Sequence, residues 1–503
     1  MKRALLLALL VSAACGGGAA ATNGPPHLDI PVPPSDSATT TTGAAKTTVP
    51  PSSASKPSPF PTVVRGKTAN GLAVAVAEAH ALPIVQIRLM VRAGSGYGAP
   101  SVASITAEML KEGGTKATTS AKFLEKLESI GASLDVDVDQ DRTVFSVGVT
   151  KSHADAALSL LAEMITTPRF DDGELKKLRA RFGDDASEAV HASGQFMAMR
   201  VLYRELFAET NPYSIFGSLP GEIAKVGGAD VRAFHAKYYV PSNAEVVVCG
   251  DVTLDETMKW VEPKFAAWKG GTAPAPQFPP AIAPAGLRVL VAHRPKSVQS
   301  DVFVAKIAPP RNAADWADLR VATHVLGGGV ASRLFLDVRE HRSLAYQTRA
   351  GIQELRVGPQ PVVAYAGTQT PKTLDAVNGI LENLEKIASG GVDASETQSA
   401  TRYLSDVFAI RLETVANIAD YVVLQDALGL GDGYWDQYRA EVRTVDAARA
   451  SAAAKKLFGG PGTLIVVAGD ADVIAQPLAK LGEVTVVDPE KDFRTVRTVA
   501  QTH

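Results

Sequence analysis

Residues 85–91 set the pattern. Val85, Ile87, Leu89 and Val91 alternate with Gln86, Arg88 and Met90, the period of two expected of a strand with one buried face. A shorter apolar strand is predicted over 71–77. Helical spacing follows over 101–111 and 119–130, the second ended by Gly131. Two strands, 133–138 and 143–149, are joined around Asp139-Gln140-Asp141 as a hairpin. Helices are predicted over 151–166, 172–190, 195–208 and 229–237, then a strand over 244–250. Residues 269–285 hold Pro274, Pro276, Pro279, Pro280 and Pro284 among small residues, the composition of a linker.

Beyond the linker the order of elements returns, with strands over 287–292 and 301–307. Thr150, Asp155-Ala156 and Leu161 find counterparts in Thr370, Asp375-Ala376 and Leu381, all displaced by the same distance along the chain. Val248-Cys249-Gly250-Asp251 finds Val467-Ala468-Gly469-Asp470, one position short of that distance. An offset held across matched strands and helices is the signature of duplication. The fold class read from this is α+β: two homologous α/β sandwich domains, over 62–268 and 286–490, with 491–503 left as a tail.

The chain has 503 residues, 46% of them hydrophobic, and a formal net charge of −2. That is ample for two cores and gives no electrostatic ground for nucleic acid as a partner. Met1-Lys2-Arg3 followed by apolar residues 4–14 reads as a signal peptide, too short to cross a bilayer. It ends Ser12-Ala13-Ala14-Cys15, which resembles a bacterial lipoprotein box with Ser12 where Leu is preferred, so Cys15 is the expected site of lipidation. Residues 16–61, rich in Gly, Ser, Thr and Pro, read as a disordered tether. The second of the two cysteines, Cys249, lies in an apolar run and is expected as a small core residue.

Two stretches draw attention for chemistry. Gly94-Ser95-Gly96-Tyr97-Gly98 between strand and helix invites a dinucleotide-binding reading, but the third glycine of that motif is Ala99, and a plain turn accounts for it. The other is Leu326-Gly327-Gly328-Gly329-Val330-Ala331-Ser332-Arg333-Leu334-Phe335, running on through Arg339 to Tyr346. It reads as a helix ending in three glycines, which permit positive φ or close backbone approach. A short helix capped by Ser332 follows to about His341, then a strand opening at Tyr346. Arg339 and Tyr346 are seven residues apart, a guanidinium and a phenol that this geometry could aim at one point.

This stretch resembles the second-domain signature of the insulinase/pitrilysin family of zinc peptidases, which includes the subunits of mitochondrial processing peptidase. The resemblance extends in outline over residues 62–490. It implies two domains closing as a clamshell, with Gly327, Gly328, Gly329, Arg339 and Tyr346 on the side that holds substrate. It also implies an inverted zinc motif, His-x-x-Glu-His, on the helix after the second strand of the first domain. Two imidazoles at i and i+4 bind the metal there, and the Glu serves as general base.

Here that helix reads Ala103-Ser104-Ile105-Thr106-Ala107-Glu108-Met109-Leu110-Lys111-Glu112-Gly113-Gly114-Thr115. The trailing Met-Leu-x-x-Gly-Gly-Thr fixes the register, so Ser104 and Glu108 stand at the His positions and Ala107 at the Glu position. Asp184, Asp185 or Glu188 could sit near the third-ligand position. No metal or other cofactor is expected in this chain. Asp337, Glu340 and His341 imitate the inverted motif but read as a solvated helix face. His80, His153, His191, His235, His293 and His324 form no ligand spacing.

The resemblance therefore implies the non-catalytic, substrate-binding subunit of a periplasmic heterodimeric zinc peptidase. The partner would be a family member carrying the zinc motif and the zinc, and the substrate a peptide or unfolded protein. Membrane attachment would run only through lipidated Cys15, by analogy at the outer membrane because Gly16 rather than Asp follows it. The alternative is a peptide-binding or scaffold protein of the cell envelope with no catalytic role.

Overall fold

The computed structural model describes residues 59–502; the signal peptide, Cys15 and the tether up to residue 58 lie outside them. The first half contains β1 (Val63–Lys67), β2 (Ala73–Glu78), β3 (Ile84–Val91), α1 (Pro100–Glu112), α2 (Ser120–Ser129), β4 (Leu134–Val138) and β5 (Thr143–Thr150). It continues through α3 (Ala154–Thr166), α4 (Asp172–Ala192), α5 (Gly194–Leu206), α6 (Pro220–Ile223), α7 (Gly228–Tyr238), β6 (Ala244–Gly250) and α8 (Leu254–Phe265). The second half opens with β7 (Leu287–His293), β8 (Gln299–Pro310), α9 (Trp316–Gly327), a π-helix (Phe335–His341), β9 (Ala345–Ile352) and β10 (Pro359–Gln369). Then come α10 (Thr373–Gly390), α11 (Ala394–Arg411), α12 (Val415–Ala427), α13 (Tyr434–Thr444) and α14 (Ala447–Phe458). β11 (Thr463–Gly469), α15 (Ala471–Leu478), β12 (Val484–Asp488) and β13 (Arg494–Val499) complete it.

The sheets run β1-β2-β6-β3-β5-β4 and β13-β12-β7-β11-β8-β10-β9. Without β1, β12 and β13, both have the spatial order first, fifth, second, fourth, third. In both, the first and fifth strands are parallel and the remaining neighbours antiparallel. The duplication read from the sequence is thus present strand by strand. β13 falls in the segment expected as a tail and pairs with β12 as the outer edge.

One face of each sheet is covered by helices of its own half, α1, α3 and α8 in the first and α9, α10, α14 and α15 in the second. The other face is covered by a helix from the opposite half. Met197, Ala198, Val201 and Leu202 of α5 pack on Leu290, Phe303, Leu464 and Val466 of the second sheet. Ile418, Ala419, Val422 and Val423 of α12 pack on Ala75, Met90, Val247 and Cys249 of the first. The starts of α5 at Gly194 and α12 at Val415 are separated by nearly the duplication offset, so the exchange is reciprocal.

This corrects the reading of β3 as half-buried. Its second face is buried too: Met90 packs beneath α12, and buried Arg88 donates from Nε to Asp420 Oδ1 on α12 at 2.7 Å. Cys249 is a core residue as expected, and burial pushes its thiol up to about 12. The proline-rich linker docks on the exchanged region: Phe278 packs on Tyr213 at 4.8 Å, and Ile282 N–H donates to the Leu206 carbonyl at 2.7 Å.

Two polar nodes fix the halves further. Asp301 on β8 faces the first turn of α5, where a Cβ on Gly194 would overlap its carboxylate; Tyr365 donates to the same carboxylate at 2.7 Å. Asp141, in the β4–β5 hairpin, accepts from the Tyr213 hydroxyl at 2.6 Å and from the Arg356 backbone N–H at 3.0 Å. Burial, with Asp139 nearby, raises Asp141 to about 6.

Gly194→Ala should lower the unfolding free energy by ~1–3 kcal/mol through overlap with Asp301. Gly183→Ala, in α4 with open space around it, should raise the unfolding free energy by ~0.5–1 kcal/mol; urea titration measures both. Because the fold holds the Asp141 proton more tightly than the unfolded chain, this group's contribution to stability falls as pH rises from its ordinary 3.8 to about 6. Asp141→Asn should flatten that slope in stability curves recorded across the window.

Candidate functional site

The glycine-rich stretch folds for a reason the sequence only half discloses. None of the three glycines has positive φ. A Cβ on Gly327 would run into the backbone of Arg349 and Ala350 on β9, whereas Gly329 has open space around it. Gly327 is therefore the position that lets α9 end against the edge strand. The helix after it is a π-helix rather than an α-helix, with Arg342 N–H reaching five residues back to the Asp337 carbonyl at 3.0 Å; beyond its end, Leu344 N–H closes a wider turn to the Val338 carbonyl at 2.9 Å. Arg333 anchors this turn from below, donating to both carboxylate oxygens of Glu396 at 2.7 Å and to the Gly391 carbonyl at 2.8 Å.

The strand that follows is irregular at the residue that matters. Gly367 pairs with Gln347 and Thr368 with Ala345, so Tyr346 is the unmatched residue of a β-bulge. A bulge bends the strand and re-aims the side chain. The Tyr346 ring is 86% exposed. The Arg339 guanidinium lies 4.5 Å from the Phe335 ring centroid and 5.7 Å from that of Tyr346, so the two expected residues do meet. Asp337 pairs with Arg342 and accepts from Asn383, leaving Arg339 only a 3.4 Å contact with its neighbour Glu340. A guanidinium and a phenol directed to solvent beside an edge strand can donate hydrogen bonds to the carbonyls of an extended peptide.

Across the molecule, the region matching a metal site is filled differently. Ser104, Ala107 and Glu108 lie on α1 as the register required. Glu108 Oε2 accepts no hydrogen bond; it faces Lys111 Nζ at 3.6 Å and Arg181 Nη2, from α4, at 3.8 Å. Arg181 also holds Glu112 at 3.1 Å. Burial raises the Glu108 carboxyl, with the two cations pulling the other way. Asp184, Asp185 and Glu188 lie on the same helix as Arg181. The residues present do not fit a zinc ion: no imidazole is available, and two cations face the carboxylate.

Other expectations resolve plainly. The Gly94–Gly96 turn gives way to the β4–β5 hairpin, with Ser95 N–H donating to the Asp139 carbonyl at 2.8 Å. Sequence spacing missed one convergence. Among the described residues, the trio of potential metal ligands that comes together is His293, Asp470 and Asp472, brought from distant parts of the chain. All three are engaged: His293 Nδ1 accepts from Ala471 N–H at 3.1 Å, Asp470 caps α15, and Asp472 pairs with Arg497 at 2.7 Å.

Comparison with known proteins places both halves of the chain in one family. Residues 73–217 match the family model described as Insulinase (Peptidase family M16), and residues 225–404 match that described as Peptidase M16 inactive domain. The chain is 22% identical over 401 residues to an uncharacterized zinc protease, YmxG, of Bacillus subtilis, covering 77% of this chain and 94% of that one. It is 24% identical over 343 residues to a protein of Helicobacter pylori named as a non-peptidase homolog, YmxG, covering 68% and 78%. A crystal structure of a peptidase M16 inactive domain from Pseudomonas fluorescens superposes with a TM-score of 0.74 at 24% identity, covering 81% and 98%; that likeness bears on the fold.

The close approach at Gly327 makes a contrast that stability measurements can read. Gly327→Ala should cost ~1–3 kcal/mol by pushing β9 outward, while Gly329→Ala should stay within ~0.5 kcal/mol.

Proposed function

The chain belongs to the insulinase family of peptidases, with an M16 inactive domain over residues 225–404, and on that premise we propose that it is the non-catalytic, substrate-binding subunit of a heterodimeric zinc peptidase. The observation that carries this reading is the pairing of two features in one molecule. Arg339 and solvent-directed Tyr346 stand together on a bulged edge strand, and the α1–α4 site holds Lys111 and Arg181 against Glu108.

Arg339 donates to carbonyls of an extended peptide. Tyr346 donates its phenolic proton to the oxyanion that forms when the peptide carbonyl is attacked, a contribution whose loss typically costs ~10²–10³ in rate. The partner is a family member bearing His-x-x-Glu-His, which supplies the zinc chemistry. Placement at the periplasmic face of the envelope, held by lipid on Cys15 and on the outer-membrane side, rests on the N-terminal sequence. A second reading, a peptide-binding scaffold that works without a catalytic partner, draws support from the α1–α4 ion cluster, which ties two helices together as a purely structural feature would.

One substitution separates the two. Under the first reading, Tyr346→Phe should cut partner-dependent peptide cleavage by ~10²-fold or more while leaving peptide affinity within several-fold. Under the scaffold reading, no zinc-motif paralogue co-purifies and no cleavage appears in any mixture. Zinc analysis runs alongside: the chain alone should hold sub-stoichiometric zinc, and chelator-sensitive hydrolysis by the lone chain would sink both readings.

A further inference from the structure

A groove of ≈ 530 Å³ lies where the two halves meet, between the C-terminal end of α4, the β7–β8 turn and the segment before β13. Its polar lining is His191, Arg294, Lys296, Ser297, Gln299 and Glu490. Among the described residues, the side chains of Arg294 and Lys296 take part in no hydrogen bond or ion pair. Asp301, which accepts from the Tyr365 hydroxyl at 2.7 Å, lies in electrostatic reach of Arg294 without bonding to it.

The turn that presents these cations is built rigidly from main chain. Arg294 N–H donates to the Gly469 carbonyl at 2.8 Å and Lys296 N–H to Asp470 Oδ2 at 3.0 Å, with Lys296 held at φ 59°. The Ser297 hydroxyl donates to the Gln299 carbonyl at 2.6 Å. Across the groove, His191 Nδ1 lies 2.6 Å from the Ser187 carbonyl and Nε2 3.6 Å from Glu490 Oε1. Two cations whose side chains make no bond, held on a preformed turn with Glu490 as the competing carboxylate, make a site for an oxyanion.

Its position relative to Tyr346 narrows the ligand. Gln299 pairs with Gln369 on β10, and the adjacent residue of β10, Thr368, pairs with Ala345 on β9. Groove and Arg339–Tyr346 pair therefore open at the same end of the second sheet, from two strand spacings at Gln299 to four at Arg294, which follows β7 beside Gly469 of β11, or about 10–20 Å apart. About three to six residues of extended peptide cover that distance. Resting on the peptide-binding reading above, we propose that the groove is a carboxylate subsite, taking an acidic side chain or the free C terminus of a peptide held at Tyr346.

Full mature chain, titrated calorimetrically with N-acetylglutamate, inorganic phosphate and unstructured peptides, tests this. The peptides come as a free acid without acidic residues, an amide with one Glu, and an amide with none. At least one of the first two should bind about tenfold tighter than the third. Arg294→Ala with Lys296→Ala should erase the difference; neither side chain makes an intramolecular bond, so the fold should persist. Glu490→Gln, which removes the competing carboxylate, should tighten acidic ligands several-fold. Preference for the free acid alone assigns the C terminus, and preference for the Glu amide assigns a side chain. Equal binding of all three peptides, or a preference that survives the double variant, overturns the proposal. So does phosphate binding without N-acetylglutamate binding. Binding of N-acetylglutamate that the double variant abolishes, with no peptide bound, supports the anion subsite and sinks the peptide-binding reading instead.

Discussion

The exchange of α5 and α12 between the two sheets is the contact on which everything else in this molecule rests. A sheet buried on one face can stand alone if its other face meets water, but here both outer faces are apolar. Leu290, Phe303, Leu464 and Val466 need α5, and Ala75, Met90, Val247 and Cys249 need α12. In each sheet the face away from its own half's helices is covered by a helix of the other half. At ~25 cal/mol for each Å² of apolar surface removed from water, uncovering such faces is prohibitive. The halves therefore form one cooperative body, and the Asp301–Gly194 and Asp141–Tyr213–Arg356 contacts set register within an interface that burial already holds.

That constraint decides what the candidate site can be. β9 is the free edge of the second sheet, and its neighbour, β10, is fixed against β8 and so against α5. Arg349 of β9 stacks 4.0 Å over the Tyr365 ring and donates to Gln195 of α5 at 2.9 Å. The strand is thus held from both halves three residues from Tyr346, and only the bulged end projects. Exposure of a large aromatic ring on a strand so firmly held is directed by the backbone and is not fraying. The same rigidity gives the groove at His191 and Arg294 a fixed distance from Tyr346, although its walls come from different halves.

Much of this was legible in the sequence because it depends on local period and spacing. Strands over 85–91 and 244–250, the hairpin at Asp139-Gln140-Asp141, the duplication offset and the Arg339–Tyr346 pair all follow from the residues themselves and their spacing along the chain. Period says that a face is buried and is silent about what buries it. Ile418, Ala419, Val422 and Val423 would look the same packed on either sheet, so the exchange was invisible, and with it the burial of Arg88. Nor does a seven-residue gap distinguish an α-turn from a π-turn followed by a bulge, yet the second is what joins the guanidinium to the ring. That α1 carries no imidazole is plain from its residues alone. The Arg181 guanidinium beside Glu108 is not, because it comes from α4, with α2, α3 and two strands intervening in the chain.

Those cations matter more than the missing ligands. A pocket that merely lacked imidazoles would be a partly buried carboxylate, open to any passing cation. Here Glu108 already faces Lys111 and Arg181 at 3.6 and 3.8 Å. An incoming cation at about 4 Å from each would meet repulsion on the order of 1–4 kcal/mol per unit charge pair, between the water and near-surface dielectric limits. It would also have to detach Arg181 from Glu112, and so loosen α4 from α1. Charge as well as ligand chemistry therefore works against metal in this half. Under the proposed function the electrophile acting beside Tyr346 must then arrive on another polypeptide, and the edge of β9 that carries Tyr346 is open to meet it.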